Sequence, residues 1–330
     1  MIYDFFKKYL TNIAYYDDYG LQYNHQPKEE INKITSDYSV SLLKNKVLIK
    51  CTGDDTESFL NSQFTNDIKI LKDKNIILSG YCNPKGRIIS IFYIFQIDKV
   101  YYLYTTLDSS KMLIDKLNMY KMMSKVDFTI IENELIGVKD VKNNFLNLIK
   151  PHIKKYSDNQ DTIIFSIDSK SIILSINQKD IQKCIDFKKI NLLGYKAWDF
   201  CDIKNKIPFI YKKFVESFTP QMLSLDILNG VSFNKGCYPG QEIVARTHYL
   251  GEAKKALYYF EITSSKDLII GDELKELDNN KVCGHIINVV CSGKNEYICL
   301  GSLRKESIKK SLLVHPGDKI KILEEVLNND

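Results

Sequence analysis

Residues 235–246 read Lys-Gly-Cys-Tyr-Pro-Gly-Gln-Glu-Ile-Val-Ala-Arg. Gly236, Pro239 and Gly240 lie too close together for the interior of a helix or strand. Glycine has access to positive φ, while Pro239 fixes its own φ and pushes Tyr238 toward an extended shape. The stretch is therefore a sharply shaped loop with Cys237 at its middle, and residues 241–246 read as the first turns of a helix. A thiol just ahead of a helix N-terminus and two residues from Lys235 sits where thiolate is favoured. The competing reading is a tight turn whose cysteine acts as a small, half-buried hydrophobe.

At 330 residues the chain exceeds one ordinary core, and two or three domains are expected. Residues 47–51 read as a strand, followed by a helix with Asp54 as N-cap and Glu57 closing a capping box. Phe59, Leu60 and Phe64 make that helix's apolar face. Strands follow at 76–82, 87–97 and 100–105, the first two joined by the turn Asn83-Pro-Lys-Gly86. A helix over 109–122 carries Met112, Leu113, Leu117 and Tyr120 at helical spacing, its methionines read as core filler. A strand over 126–131 completes an order that predicts helices on one face of an antiparallel sheet. Helices are expected over 143–156 and 178–187, and a hairpin over 162–176. Trp198, the sole tryptophan, falls on a helix that ends before Lys206. Thr219-Pro220 opens a short helix that stops at Asn229-Gly230. Past Lys255, strand-like segments at 257–262, 281–290, 297–301 and 319–326 predict a small β-barrel.

Composition narrows the function classes. Net charge is +5, almost all of it lysine, since the arginines are only Arg87, Arg246 and Arg304. Sequence readout of nucleic acid relies on arginine forks, so direct nucleic-acid binding is disfavoured. None of the eight cysteines forms a Cys-x-x-Cys pair, so no metal site is expected. Cys283, Cys291 and Cys299 recur every eight residues, which fits successive strands of a barrel. No apolar run approaches the ~18 residues of a membrane helix. Residues 1–20 carry no signal-peptide pattern and no arginine, which places the protein in the cytoplasm.

From about residue 39 to its C-terminus the chain resembles the YgfZ-type family, folate-binding proteins similar to the aminomethyltransferase (T-protein) of glycine cleavage. The stretch from Lys235 to Glu242 matches that family's pattern K-G-C-Y-[TP]-G-Q-E. The resemblance implies an α+β protein with the aminomethyltransferase folate-binding fold, its three domains set around a central cavity. It divides the chain into an appendage (1–36), a first α+β domain (37–135), a second carrying the signature (136–251) and a C-terminal β-barrel (252–330). It implies tetrahydrofolate as ligand, with Trp198 as aromatic contact and Tyr238, Gln241, Glu242 and Arg87 as further binding residues. A second aromatic contact of some relatives falls here on Lys46. Cys237 and Lys235 are the functional pair that the signature implies.

T-proteins carry acids two or three positions after the Gly-Gly-Ile of their second hairpin strand, which is matched here by Gly86-Arg87-Ile88. Ser90 and Ile91 stand at those positions, and neither side chain can act as a base near neutral pH. The resemblance therefore implies a monomeric accessory factor that helps assemble or repair iron–sulfur clusters and so affects tRNA modification, with iron–sulfur proteins or their assembly machinery as partners. A folate-dependent one-carbon transferase with Cys237 as nucleophile is the alternative. It would need a base near the thiol, and His248 is the nearest histidine in sequence. An RNA-binding module is the third class.

Overall fold

A computed structural model describes residues 9–141, 162–177, 179–181 and 190–326. The helices expected over 143–156 and 178–187 fall outside these residues or almost wholly so, as does Cys184. The described chain divides into two compact units, one built from 1–48 and 131–201 and the other from 49–130 and 202–330.

The first unit opens with a short hairpin, β1 (Tyr15–Asp17) and β2 (Gly20–Tyr23), and a helix, α1 (Pro27–Ser36). Its main sheet has five strands: β3 (Ser39–Leu42), β9 (Glu134–Lys139), β10 (Ile163–Asp168), β11 (Ser171–Ile176) and β12 (Asn191–Leu193). They lie in the order β10-β11-β9-β3-β12, antiparallel except for the β12–β3 pair. Register builds the core. Val40 faces Val138, which faces Ile172, and Leu42 faces Ile136, which faces Leu174, so one face of the pleat is a continuous aliphatic layer. Ser41, Gly137 and Ile173 form a row on the other face. Helix α4 (Tyr195–Lys204), which carries Trp198, packs there.

In the second unit, β4 (Lys46–Thr52), β5 (Ile76–Cys82), β6 (Ile88–Ile97), β7 (Val100–Thr106) and β8 (Asp127–Ile130) form a sheet ordered β5-β6-β7-β4-β8. The expected strands and the Asn83–Gly86 turn are all present. Helix α2 (Thr56–Gln63) buries Phe59 and Leu60, but no capping box forms. Its N-cap is Asp55, whose carboxylate accepts the Lys125 N–H at 2.8 Å, while Glu57 accepts the Tyr101 hydroxyl at 3.0 Å. The N-cap is thus Asp55 rather than the expected Asp54, and Glu57 is taken by Tyr101, a partner that local spacing does not reveal. Helix α3 (Leu107–Lys121) packs on β6 and β7 through Leu113 and Leu117. The methionines do not fill a core: Met119, Met122 and Met123 are 67%, 85% and 94% exposed. The helix buries a narrow stripe of Ser109, Ser110, Leu113 and Leu117 and leaves these methionines in solvent. Thr219-Pro220 starts a 3-10 turn, Pro220–Leu223, which ends at Ser224 in the left-handed region, well before Asn229.

The chain ends in a six-stranded antiparallel sheet ordered β17-β14-β15-β16-β13-β18. Its strands are β13 (Lys255–Thr263), β14 (Glu273–Glu276), β15 (Val282–Gly293), β16 (Glu296–Arg304), β17 (Leu312–Leu313) and β18 (Lys319–Glu325). The order is open, so the sheet curls into a half-barrel around Tyr258, Phe260, Leu274 and Leu303. The eight-residue cysteine spacing does not mark successive strands. Cys283 and Cys291 share the twelve-residue β15, and only Cys299 lies on β16. No helix among the described residues is long and apolar enough to cross a membrane.

Candidate functional site

The signature loop is held from behind by the end of α2. Helix termini leave carbonyls without intrahelical donors, and these carry partial negative charge. Lys235 meets that need: its ammonium donates to the carbonyls of Asn61 (2.5 Å), Phe64 (2.7 Å) and Asn66 (2.8 Å). It also lies 5.5 Å from the centre of the Tyr238 ring. Burial pushes its pKa down to about 8. The sequence expectation set this lysine to work on the thiol. In the structure its hydrogens go to backbone oxygens, and Lys235 is an anchor. Asn66 does the same for the approach to the loop, its amide donating to the carbonyls of Leu78 and Asn229. Thr65 adds a bond from its hydroxyl to the Gly230 carbonyl at 2.6 Å.

The loop is held from the front by glycine against glycine. Gly240 has φ +80°, and a Cβ there would stand 2.5 Å from the Asn83 oxygen and from the backbone of Gly86. Gly86, also at positive φ, closes the β5–β6 turn. Gly236 needs no such freedom, since a Cβ there would meet nothing within 4 Å. Helix α5 (Gln241–Leu250) begins directly after Gly240 and buries Val244, whose carbonyl accepts the Gln221 amide at 2.7 Å. Between the two braces Cys237 is exposed, and among the described cysteines it alone is.

The remaining sequence candidates scatter. Tyr238 is buried, its hydroxyl has no hydrogen-bond partner among the described residues, and burial raises its pKa. Gln241 is half-buried, and Glu242 is exposed in a pair with Arg246 at 3.1 Å. Arg87 donates to the Ser217 carbonyl at 3.0 Å. His248 stacks on Phe233 with ring centres 3.7 Å apart, and no hydrogen bond joins it to Cys237. Ser90 lies in a buried hydroxyl cluster, 3.0 Å from Thr105 Oγ1 and 3.1 Å from Ser109 Oγ, and Ile91 beside it is fully buried.

Trp198 belongs to the first unit. It is 1% exposed, and its ring covers Gly137 so closely that a Cβ there would fall 2.5 Å from the indole. The indole Nε1 is buried without a hydrogen-bond partner. Lys46, at the position of the second aromatic contact, is also buried and pairs with Asp199 at 3.6 Å, one residue beyond the tryptophan. Asn45 donates to the same carboxylate at 2.9 Å.

No protein-family model matches the chain. It is 30% identical over 252 residues to the tRNA-modifying protein YgfZ of Aliivibrio fischeri strain MJ11, covering 72% of this chain and 76% of that one. It is 32% identical over 275 residues to the protein of the same name from Hamiltonella defensa, covering 78% and 79%. Among solved structures it resembles the glycine cleavage system aminomethyltransferase T of Bartonella henselae, with a TM-score of 0.77 over 99% of this chain and 96% of that one. Sequence identity there is 12%, so the likeness is one of fold.

Proposed function

The chain belongs to the YgfZ family, and from that premise we propose that it is a tetrahydrofolate-binding accessory factor for iron–sulfur cluster assembly or repair, acting on tRNA modification through cluster-dependent enzymes. The observation that carries this over aminomethyl transfer is the surroundings of Ser90. Its hydroxyl meets only the hydroxyls of Thr105 and Ser109, with no carboxylate in the cluster. A network of hydroxyls cannot take up a proton near neutral pH as a general base must. The relatives' printed name supports the tRNA-modification part, and the aminomethyltransferase-like fold supports the folate part.

The side chains fit a folate unequally. Trp198 offers no open face for stacking, because both it and the glycine beneath it are covered. Cys237 and Glu242 are exposed and Gln241 is half-exposed, so these signature residues remain open to a ligand. Folate, when bound, supplies a carrier for one-carbon units. The chain's own contribution is a rigidly braced, accessible thiol. The three-part domain division belongs to this reading, as does a monomeric state.

Two measurements test it. Calorimetric titration of the full chain with tetrahydrofolate under anaerobic conditions should show saturable binding. Its absence would remove the folate assignment. Expressing the chain in a bacterium that lacks its own family member should restore cluster-dependent tRNA modifications, read by mass spectrometry of tRNA nucleosides. Failure of a well-folded, abundant protein to do so would overturn the accessory role.

A further inference from the structure

The geometry points to an anion-binding groove in the second unit, apart from the signature loop, built for a compact ligand with two or more negative charges. The groove has a volume of about 740 Å³, and its walls include Lys213, Phe218, Lys255, Gly271 and His285. Among the described residues, two of its cations have no carboxylate partner. The Lys255 ammonium has the Phe218 ring at 6.0 Å as its side-chain neighbour, and that of Lys213 makes one long bond, 3.4 Å, to the Ile270 carbonyl. Two carboxylates also line the groove: Asp272 accepts the Ile269 N–H at 2.8 Å, and Glu273 pairs with Lys275, itself a lining residue, at 3.2 Å.

The like charges converge. Burial, helped by Lys255 and Lys213 and opposed by Glu273, holds the His285 pKa down, and burial, helped by Arg304 and Arg87, does the same for Lys255. His285 Nδ1 is buried with no hydrogen-bond partner among the described residues. Gly271 has φ +97°, and a Cβ there would lie 2.2 Å from Lys213 Cε and Nζ. Only a glycine lets that lysine lie across the turn and join the groove. Two lysine ammoniums beside an apolar ring, neither paired with a carboxylate among the described residues, are stabilised by a bound anion. Phosphate esters and polycarboxylates both carry that chemistry, and lysine point charges suit either.

Calorimetric titration of the full-length protein at constant ionic strength tests the groove, with pyrophosphate in one arm, citrate in another and chloride as control. Pyrophosphate or citrate should bind with Kd at or below about 1 mM and chloride should give no heat. Binding of pyrophosphate alone identifies a phosphorylated ligand, and binding of citrate alone a polycarboxylate. Lys255→Gln and Lys213→Gln should each weaken binding by about tenfold, with the fold checked by circular dichroism. Should Lys255→Gln not fold, Lys213→Gln, on an exposed 3-10 turn, decides by itself. No heat from either anion, or undiminished affinity in the folded variants, overturns the proposal.

Discussion

A single exposure value separates Cys237 from the other described cysteines. Cys51 and Cys82 are fully buried and their thiols are pushed up by burial, whereas Cys237 stands in solvent. Iodoacetamide at neutral pH should therefore label Cys237 first, as read by mass spectrometry of the digested protein. Cys237→Ser should shift unfolding free energy by no more than about 0.5 kcal/mol, so any lost activity would be functional rather than structural. Glu30 has the opposite character. Its carboxylate is fully buried and accepts the backbone N–H groups of Asn24 (2.5 Å), His25 (3.0 Å) and Gly194 (2.9 Å). Burial outweighs these bonds and raises its pKa from 4.5 to about 7. The folded chain thus keeps a proton that the unfolded chain loses above 4.5. Stability contributed by this proton is full below pH 4.5 and is lost as pH rises through about 7, by about 3 kcal/mol. Thermal melts across that window should show the decline, and Glu30→Gln should flatten it while lowering stability by about 1–3 kcal/mol, since its amide turns a donor toward donors.

The signature loop, as an element, is a strap held at both ends. Gly240→Ala should cost at least about 1–3 kcal/mol, because alanine tolerates neither its φ nor the 2.5 Å approach to the Gly86 backbone. Gly236→Ala should be neutral or slightly stabilising, since its Cβ would stand in open space. Urea denaturation of the two variants measures the contrast, and equal losses would contradict the bracing described above. Lys235→Met should also destabilise, by about 1–3 kcal/mol, because three carbonyls at the end of α2 lose their donor. If Lys235 is only an anchor, the alkylation rate of Cys237 should stay within about twofold in the folded variant. A tenfold drop would return the lysine to the role that its place in the sequence suggests.

Within the second unit, the terminal sheet is tied to the segment before the signature. Ser302 donates to the Met222 carbonyl at 2.8 Å, Asn288 to the Phe209 carbonyl at 3.1 Å, and the Leu257 N–H to Ser224 Oγ at 3.1 Å. A chain ending at residue 251 should lose cooperative unfolding, as judged by calorimetry, because buried Phe209 and Leu223 lose their cover. Much of this architecture was legible beforehand, since strands and turns announce themselves through local alternation and through Asn, Pro and Gly. The exposed thiol in a glycine-shaped loop was legible for the same reason: backbone freedom and rigidity belong to the residue types themselves. What the side chains touch was not. Asp55 took the N-cap expected of Asp54 and bonded Lys125, Glu57 left the capping box for Tyr101, Lys235 turned to the end of α2, and Trp198 closed over Gly137. In each case the partner lies more than 30 residues away along the chain. Local pattern therefore determined which segments form strands, turns and the signature loop. Only the tertiary structure decided which charges and rings are committed to packing and which, Cys237 foremost, remain free to meet a ligand.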